Sequence, residues 1–323
     1  MLISAVCTLF EGHYHHGVAA LTNSLCNKGF KGSIYAGYRG PLPGWAVEGQ
    51  PDQSLDWPDS RTLRVTESVR LHFLPLATTH HLTNYKPDFM IRIWEGPAIM
   101  AEALFYFDPD IVIGVPWSSF EEWVGYGVTL CEDVNSPLLP YHPRRIKWRR
   151  YFESFGLNLN FKGSTYVNGG FAGVTRSTYS FLQMWKRVQT GMALDIGGLT
   201  HSQFDAASLP ETARGPFASF GKTDQDALNA TIEAWDGSIS SIGKEGMAFI
   251  PGESVMSHAL GKYKPWNSDP LVRAMSGYPP RLVDRHYWQC VDYPIRAHSS
   301  SLIFRRKIAL KIASFIGRFY GRT

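Results

Sequence analysis

The chain has 323 residues, of which 44% are hydrophobic and 19% charged. This hydrophobic share supports a large core and argues against a disordered protein. The net charge is +4, but the segment 302–323 alone carries six Lys or Arg and no acid, which leaves 4 − 6 = −2 for the remainder. The basic character therefore belongs to the C-terminal segment rather than to the body of the protein.

The four cysteines have no CxxC spacing, which argues against a thiolate zinc site. Their small number suits a reducing cytoplasm. The first residues lack a basic start, so no signal peptide is predicted. No run of eighteen apolar residues occurs, so no membrane-spanning helix is predicted.

The first quarter of the chain predicts alternating strands and a helix. Apolar runs at 2–10 and 32–38 have strand length, and between them 17–29 has apolar residues at helical spacing. A Pro- and Gly-rich segment at 39–60 is predicted to be a loop, and 67–76 alternates as a strand does. This order is typical of an α/β fold with parallel strands.

The following segments predict further elements of both kinds. The amphipathic segment 86–100 is interrupted at Gly96-Pro97, and an apolar strand then leads into Asp108-Pro109-Asp110. Helices are predicted at 177–191 and at 223–235, the latter with Thr223 as N-cap. The Gly- and Ala-rich segment 190–221 is left unassigned, and no internal repeat is present.

Two aspartates interrupt the apolar run "YFDPDIVIG". Asp108 and Asp110 are two residues apart, so on an extended segment they point to the same side. At the end of a strand they would bind one hard divalent cation, which prefers oxygen ligands. The alternative is a turn that carries two acids into solvent.

The segment "HALGKYKPW" brings three useful residue types together. His258 would complete the coordination of a metal, Gly261 would let a diphosphate approach the backbone, and Lys264 would neutralise phosphate. The alternative is a polar surface loop with an incidental histidine.

Two further segments suggest contacts to a sugar. Asn168 precedes Gly169 and Gly170 inside an otherwise apolar predicted strand, where glycine often marks close approach of a ligand, although an Asn-Gly hairpin turn would look the same. Asp224 and Gln225 open the predicted helix, a position that also favours acids because of the helix dipole.

Taken together and in this order, the segments resemble glycosyltransferase family 8 and related enzymes of the GT-A fold, from the N-terminal strand to about Trp266. The segments that carry the resemblance are "AVCTLFEGHYHHGVAALTNSL", "FYFDPDIVI", "NGGF", "DQDALN" and "HALGKYKPW". The resemblance implies an α/β, Rossmann-like nucleotide-diphospho-sugar transferase fold, with a mixed central sheet flanked by helices.

The resemblance also implies roles for individual residues. Mn²⁺ or Mg²⁺ would be held by Asp108, Asp110 and His258. The donor UDP-sugar would be bound by Thr8, Tyr14, Lys86, Asp108, Gly169, Gly261 and Lys264, with Arg92 as the alternative to Lys86. The donor sugar's hydroxyls would bind Asp133, Asn168 and Asp224, and Gln225 would lie beneath the anomeric carbon.

Two features depart from the family pattern. The first strand reads Cys7-Thr8-Leu9 where an acid often lies near the uracil. The segment 141–166 is longer than in compact members and contains "YHPRRIKWRR". Its basic residues would either contact an anionic acceptor or form a solvated surface.

The expected reaction is transfer of a hexose from a UDP-sugar to a hydroxyl of a glycan or lipid-linked acceptor, in bacterial surface polysaccharide or lipopolysaccharide synthesis. The family retains anomeric configuration. Because Gln225 is a poor nucleophile, a front-face mechanism is expected. The alternatives are a nucleotidyltransferase of related fold, a non-catalytic nucleotide-sugar or glycan-binding protein, and a nucleic-acid binder, although no nucleic-acid partner is expected.

The C-terminal segment predicts a basic amphipathic helix. We expect a single catalytic domain over 1–295 and a tail over 296–323. The apolar face consists of Phe304, Ile308, Ile312, Phe315 and Phe319, and the opposite face of Lys307, Lys311, Arg318 and Arg322. Such a helix would lie on an anionic membrane and place the enzyme peripherally at the cytoplasmic face, or it would dock on the domain or a partner.

Overall fold

The computed structural model describes residues 2–205 and 209–320, so Arg322 of the predicted tail lies outside the described residues. Eleven strands form two sheets within these ranges. The strands are β1 (Ser4–Glu11), β2 (Gly32–Arg39), β3 (Gln50–Pro51), β4 (Arg61–Arg64), β5 (Val69–Pro75), β6 (Ala103–Phe107), β7 (Ile111–Ile113), β8 (Val128–Cys131), β9 (Phe171–Thr175), β10 (Ile239–Ile242) and β11 (Met256–His258).

The large sheet has nine strands in the order β10-β8-β9-β6-β1-β2-β5-β4-β3. Its centre, β6-β1-β2-β5, is parallel, whereas β9 runs antiparallel to β6 and β8, and β4 runs antiparallel to β5. The predicted α/β fold with a mixed central sheet is therefore confirmed.

Helices lie on both faces of this sheet and beside it. The helices of the described residues are α1 (His15–Asn27), α2 (Lys86–Glu95), α3 (Trp117–Trp123), α4 (Pro143–Glu153), α5 (Tyr179–Ile196), α6 (Thr223–Ala234), α7 (Pro270–Met275), α8 (Leu282–Gln289) and α9 (Ser300–Ile316). Alternate residues of β1 point to opposite faces. Val6 and Phe10 pack with α1 and α3, whereas Cys7 and Leu9 pack with α2 and α5.

The apolar run around Asp108 is two strands rather than one. β6 belongs to the large sheet, and β7 pairs antiparallel with β11 in a separate two-stranded sheet. Asp108, Pro109 and Asp110 form the connection between them, where a proline without an N–H leaves no ladder hydrogen bond unmade. His258 pairs with Ile111, so the small sheet brings the histidine to the two aspartates although they are about 150 residues apart in sequence.

Two local predictions were wrong. Asn168 lies before β9, which begins at Phe171, and not inside a strand. Thr223 lies within α6, and its N-cap residue is Lys222, whose N–H donates to Asp226 Oδ2 at 2.7 Å. The N–H of Asp226, which a capping threonine at 223 would have served, donates instead to Lys222 O at 2.8 Å.

The basic residues of α4 are mostly paired with buried acids. Arg145 and Arg149 both bind the buried carboxylate of Glu233, at 2.5 and 2.8 Å, and Arg144 binds the buried Asp226 at 3.3 Å. These three arginines tie α4 to α6. Lys147 and Arg150, by contrast, are exposed.

The C-terminal helix α9 packs on the domain through one narrow face. Ile303, Leu310 and Ala313 are buried, the first two in a cluster with Ala20 of α1 and Val112 of β7. The face predicted from the sequence is the other one: Phe304, Ile308, Ile312, Phe315 and Phe319 are all exposed. No helix within residues 2–205 and 209–320 is long and apolar enough to cross a membrane.

Candidate active site

The connection between β6 and β7 is fixed by backbone contacts from three sides. Asp108 N donates to Gly170 O at 2.7 Å, and Ala259 N donates to Asp110 O at 3.0 Å. The start of α1 presses on the same turn: a Cβ at Gly17 would lie 2.2 Å from the carbonyl oxygen of Pro109. Glycine at position 17 thus allows the helix to reach the turn.

Asp108, Asp110 and His258 converge as the sequence predicts. His258 Nε2 lies 3.2 Å from Asp110 Oδ1 and 3.9 Å from Asp108 Oδ2, and one ligand atom of each residue falls within 4.8 Å of the others. Two carboxylates and an imidazole are donors that Mn²⁺ and Mg²⁺ accept. This cluster fits a divalent cation.

Lys264 already supplies positive charge to this cluster. Its ammonium group donates to Asp110 Oδ2 at 2.5 Å and to Ala259 O at 2.6 Å, and it lies 5.5 Å from the centre of the Tyr14 ring. Burial would raise the pKa of Asp110, but the charges of Lys264 and His258 outweigh it and hold this pKa below its ordinary value. Asp110 is therefore ionised and ready to bind a cation.

Lys86 links the cluster of Asp108, Asp110 and His258 to Asp224, one of the residues expected to bind the donor sugar. Its fully buried ammonium lies 3.1 Å from Asp108 Oδ1, 3.0 Å from Asp224 Oδ2 and 2.8 Å from Gly169 O. Burial would lower the pKa of Lys86, but the two carboxylates outweigh it and raise this pKa. Arg92, the alternative to Lys86, instead stacks on Trp57 at 3.6 Å.

The expected sugar-binding residues form two pairs. Asn168 Nδ2 donates to Asp133 Oδ2 at 2.7 Å, and Gly169 N donates to Gln225 Oε1 at 3.4 Å. The buried Gln225 Nε2 has no partner among the described residues, so this donor is free for a ligand. The pKa of Asp224 is raised by its burial, against the opposing charge of Lys86.

The two glycines after Asn168 make room for the site's own side chains. A Cβ at Gly170 would lie 2.7 Å from His258 Cε1 and 3.0 Å from Asp108 Oδ2. A larger residue at position 170 would push the imidazole away from the carboxylate. This segment is not the hairpin turn that Asn-Gly also allows, because β9 pairs with β6 and β8 and Val167, just before Asn168, pairs with Glu132.

The remaining predicted donor contacts are placed as follows. Tyr14 stacks on His13 and meets Trp266 edge-on, beside Lys264. Gly261 lies in the exposed loop between His258 and Lys264 with a positive φ of 77°. Thr8 is fully buried inside β1, and its hydroxyl has no partner in the described part of the chain. Its contact to uridine stays a prediction.

Two residues of the site were not predicted. The buried Tyr106 donates its hydroxyl to Asp108 Oδ1 at 2.8 Å, so Tyr106 and Lys86 hold one oxygen while Oδ2 faces His258. The two-residue spacing of Tyr106 and Asp108 on one strand face could have suggested this contact. Lys222 lies 4.0 Å from Asp133, and no local pattern points to it.

The fully buried Asp226, two residues after Asp224, should make the free energy of unfolding depend on pH. It accepts from Tyr166 at 2.7 Å, and burial raises its pKa from 3.8 to about 6 despite Arg144. The folded state therefore binds more protons than the unfolded state between those pH values, so the free energy of unfolding should fall by up to about 3 kcal/mol as pH rises through them.

Asp226→Asn should remove this fall, which urea titrations between pH 4 and pH 7 would measure. Asp236→Asn is the matched control, because the Asp236 side chain is 92% exposed. An unchanged pH slope in Asp226→Asn would show that Asp226 titrates normally.

Comparison with known proteins places this site in a known fold. No protein-family model and no curated protein matches the sequence. Among solved structures, the bifunctional glycosyltransferase WbbM matches with a TM-score of 0.52 at 12% identity, over 94% of this chain and 52% of WbbM. The chain has the GT-A fold. At this identity the likeness shows the fold, as predicted from the sequence, and membership of family 8 stays a prediction.

Two further matches are also glycosyltransferases. The chain matches GlyE of Streptococcus pneumoniae TIGR4 with a TM-score of 0.48 at 13% identity, over 95% of this chain and 64% of GlyE. It matches the galactosyltransferase LgtC, in complex with donor and acceptor sugar analogues, with a TM-score of 0.45 at 12% identity, over 90% and 97%. The chain thus spans between half and two thirds of the length of WbbM and GlyE.

Proposed function

We propose that the chain is a metal-dependent glycosyltransferase that moves a hexose from a UDP-sugar to a hydroxyl of a glycan or lipid-linked acceptor. The observation that carries the proposal is the meeting of Asp108, Asp110 and His258 with Lys264. A cluster for a divalent cation and a buried ammonium beside it are the groups that a departing diphosphate needs.

Each group has a defined part in this scheme. Mn²⁺ or Mg²⁺, when bound by Asp108, Asp110 and His258, would stabilise charge on the leaving diphosphate. Lys264 would leave Asp110 and bind the diphosphate oxygens. Asp133, Asn168 and Asp224 would orient the donor sugar by its hydroxyls.

The family resemblance implies transfer with retention, and the partners of the acids then favour a front-face route over a covalent intermediate. Among the described residues of the site, Asp108 and Asp224 bind Lys86, Asp110 binds Lys264, and Asp133 binds Asn168. Each carboxylate is already engaged, and Gln225 is a poor nucleophile. A leaving-group oxygen would then help to deprotonate the acceptor hydroxyl.

A thermal-shift screen of UDP-, GDP- and CMP-sugars, with and without Mn²⁺, tests the donor assignment. We expect stabilisation by at least one UDP-sugar that depends on Mn²⁺. Stabilisation by none of them, or equally without metal, would contradict the proposal. Release of pyrophosphate from a nucleoside triphosphate and a sugar 1-phosphate would instead favour a nucleotidyltransferase.

The exposed face of α9 fits a peripheral membrane protein that acts on a lipid-linked acceptor at the cytoplasmic face. Four exposed apolar side chains project from α9 and a fifth, Phe319, from the turn that follows it, and the helix is rich in Lys and Arg. Apolar side chains would enter the headgroup region while the basic residues bind anionic lipid. A role in surface polysaccharide or lipopolysaccharide synthesis would follow from such an acceptor.

The double variant Ile312→Glu/Phe315→Glu should lose vesicle binding by more than tenfold, because two apolar side chains no longer enter the lipid. These side chains are 46% and 57% exposed, so folding should persist. Deleting α9 would be a poorer test, since it also removes the buried Ile303 and Leu310. Co-sedimentation with phosphatidylglycerol-containing vesicles measures the effect.

The matched control is Ile99→Glu/Met100→Glu, which changes two exposed apolar residues in the loop before β6. It should bind vesicles as the unchanged chain does. Equal loss of binding in both double variants, or no binding by the unchanged chain, would refute the membrane role.

A further inference from the structure

Two loops beside the donor-sugar residues are joined by buried hydrogen bonds. Asn84, fully buried just before α2, donates to Leu199 O at 3.0 Å and to His201 O at 2.7 Å. Gln189 of α5 donates to Asn84 Oδ1 at 3.0 Å, and His81 N donates to Leu199 O at 2.9 Å. The turn before α2 and the start of the α5–α6 loop are thus held as one unit.

This unit presents a flat aromatic surface. The rings of His81 and Phe204 stack with their centres 6.1 Å apart and their planes at 20°. Phe204 is 72% exposed, so its ring has a free surface. Burial lowers the pKa of His81, which keeps its ring neutral at pH 7. The pair is therefore an uncharged aromatic surface of the kind that packs against apolar groups.

The position of the surface relates it to the donor sugar. Gln203, adjacent to Phe204, donates its amide to Asp224 Oδ1 at 3.5 Å. Asp224 is one of the acids assigned to the donor sugar, and Lys86 joins it to Asp108. An acceptor hydroxyl must meet the donor sugar at its anomeric carbon. The rings of His81 and Phe204 therefore lie where an acceptor bound beside the donor sugar would contact them.

We propose that His81 and Phe204 form the acceptor subsite, with the face of Phe204 packing against the apolar face of a pyranose ring. Gln203 would bind a hydroxyl of the same ring. The subsite takes a neutral sugar, because both rings are uncharged and would contact it through their apolar faces. This inference rests on the proposed function, since the donor sugar defines where the acceptor must lie.

Saturation-transfer NMR on the full chain tests the subsite, with Mg²⁺ and UDP present and with the methyl glycosides of galactose, glucose and mannose as probes. We expect signals on the ring protons of at least one glycoside, reduced at least fivefold in Phe204→Ala. Phe204→Leu should lose nearly as much, because a branched aliphatic side chain lacks the flat ring.

Tyr126→Ala is the matched control, since Tyr126 is 64% exposed but precedes β8, at the opposite end of that strand from Asp133. It should leave the signals unchanged. Stabilisation of Phe204→Ala by Mg²⁺ and UDP would show that the variant is folded.

No signal from any glycoside, or equal signals from Phe204→Ala and the unchanged chain, would overturn the acceptor subsite. Failure of the unchanged chain to bind UDP would instead overturn the proposed donor site on which the subsite rests. The two failures are thereby told apart.

Discussion

Asp110→Asn is expected to weaken Mn²⁺ binding by more than about 100-fold. Substituting a residue that only contacts a metal ligand already lowers metal affinity by about 10–100-fold, and Asp110 would be a ligand itself. The substitution keeps the size of the side chain but removes the charge that faces His258 at 3.2 Å and Lys264 at 2.5 Å. Without this ligand the cation would not neutralise the diphosphate. Metal-dependent release of UDP from a UDP-sugar should then disappear.

Calorimetric titration with MnCl₂ measures the affinity, and a UDP assay measures the reaction. Asp236→Asn removes one acidic charge at an exposed surface pair and should change neither. If Asp110→Asn bound Mn²⁺ as tightly as the unchanged chain, the metal would have to bind elsewhere.

Lys86→Met should lower the free energy of unfolding by about 3–5 kcal/mol at pH 7.5, the range found when one partner of a buried ion pair is removed. The substitution would leave Asp108 and Asp224 close together without the Lys86 ammonium group that both carboxylates bind. The pKa of Asp224, already raised by burial, would rise further. The folded state would then bind protons more readily. The loss in free energy of unfolding, relative to the unchanged chain, should therefore be smaller at pH 5 than at pH 7.5.

Urea unfolding at both pH values measures this effect. Lys186→Met is the control, because Lys186 is half exposed and pairs with Asp88 on the surface, where an ion pair contributes about 0–1 kcal/mol. A Lys86→Met variant no less stable than this control would mean that the buried Asp224 is neutral in the folded chain.

The meeting of Asp108, Asp110 and His258 with Lys264 could be predicted from the sequence because these residues belong to recognisable segments. Asp108 and Asp110 interrupt an apolar run, and His258 and Lys264 have a distinctive spacing. Sequence spacing does not show how these four residues come together in the fold. The pairing of β7 with β11 is a long-range contact, and it places His258 opposite Ile111.

Other contacts depend on packing that local sequence does not encode. Lys86 and Arg92 lie on the same helix, and only the fold turns Lys86 into the site while Arg92 packs on Trp57. Glu233 binds Arg145 and Arg149, whose sequence alone suggested a solvated surface or an acceptor site.

The packing of the C-terminal helix was likewise not predictable from the local sequence. Helical spacing identifies an apolar stripe, but α9 has two, and tertiary packing decides which one is buried. The narrow face with Ile303 and Leu310 packs on the domain. The wider apolar face, which the sequence predicted, remains exposed. Periodicity therefore predicted the helix and its wider apolar face, but not the face that packs on the domain.

Incubation of the full chain with a panel of UDP-hexoses and an acceptor glycoside, followed by measurement of free UDP, tests the central claim most directly. We predict UDP release that requires Mn²⁺, stops on chelation and is absent in Asp110→Asn. UDP release that persists without metal, or no release from any UDP-hexose, would contradict the assignment of this site as a metal-dependent glycosyltransferase centre.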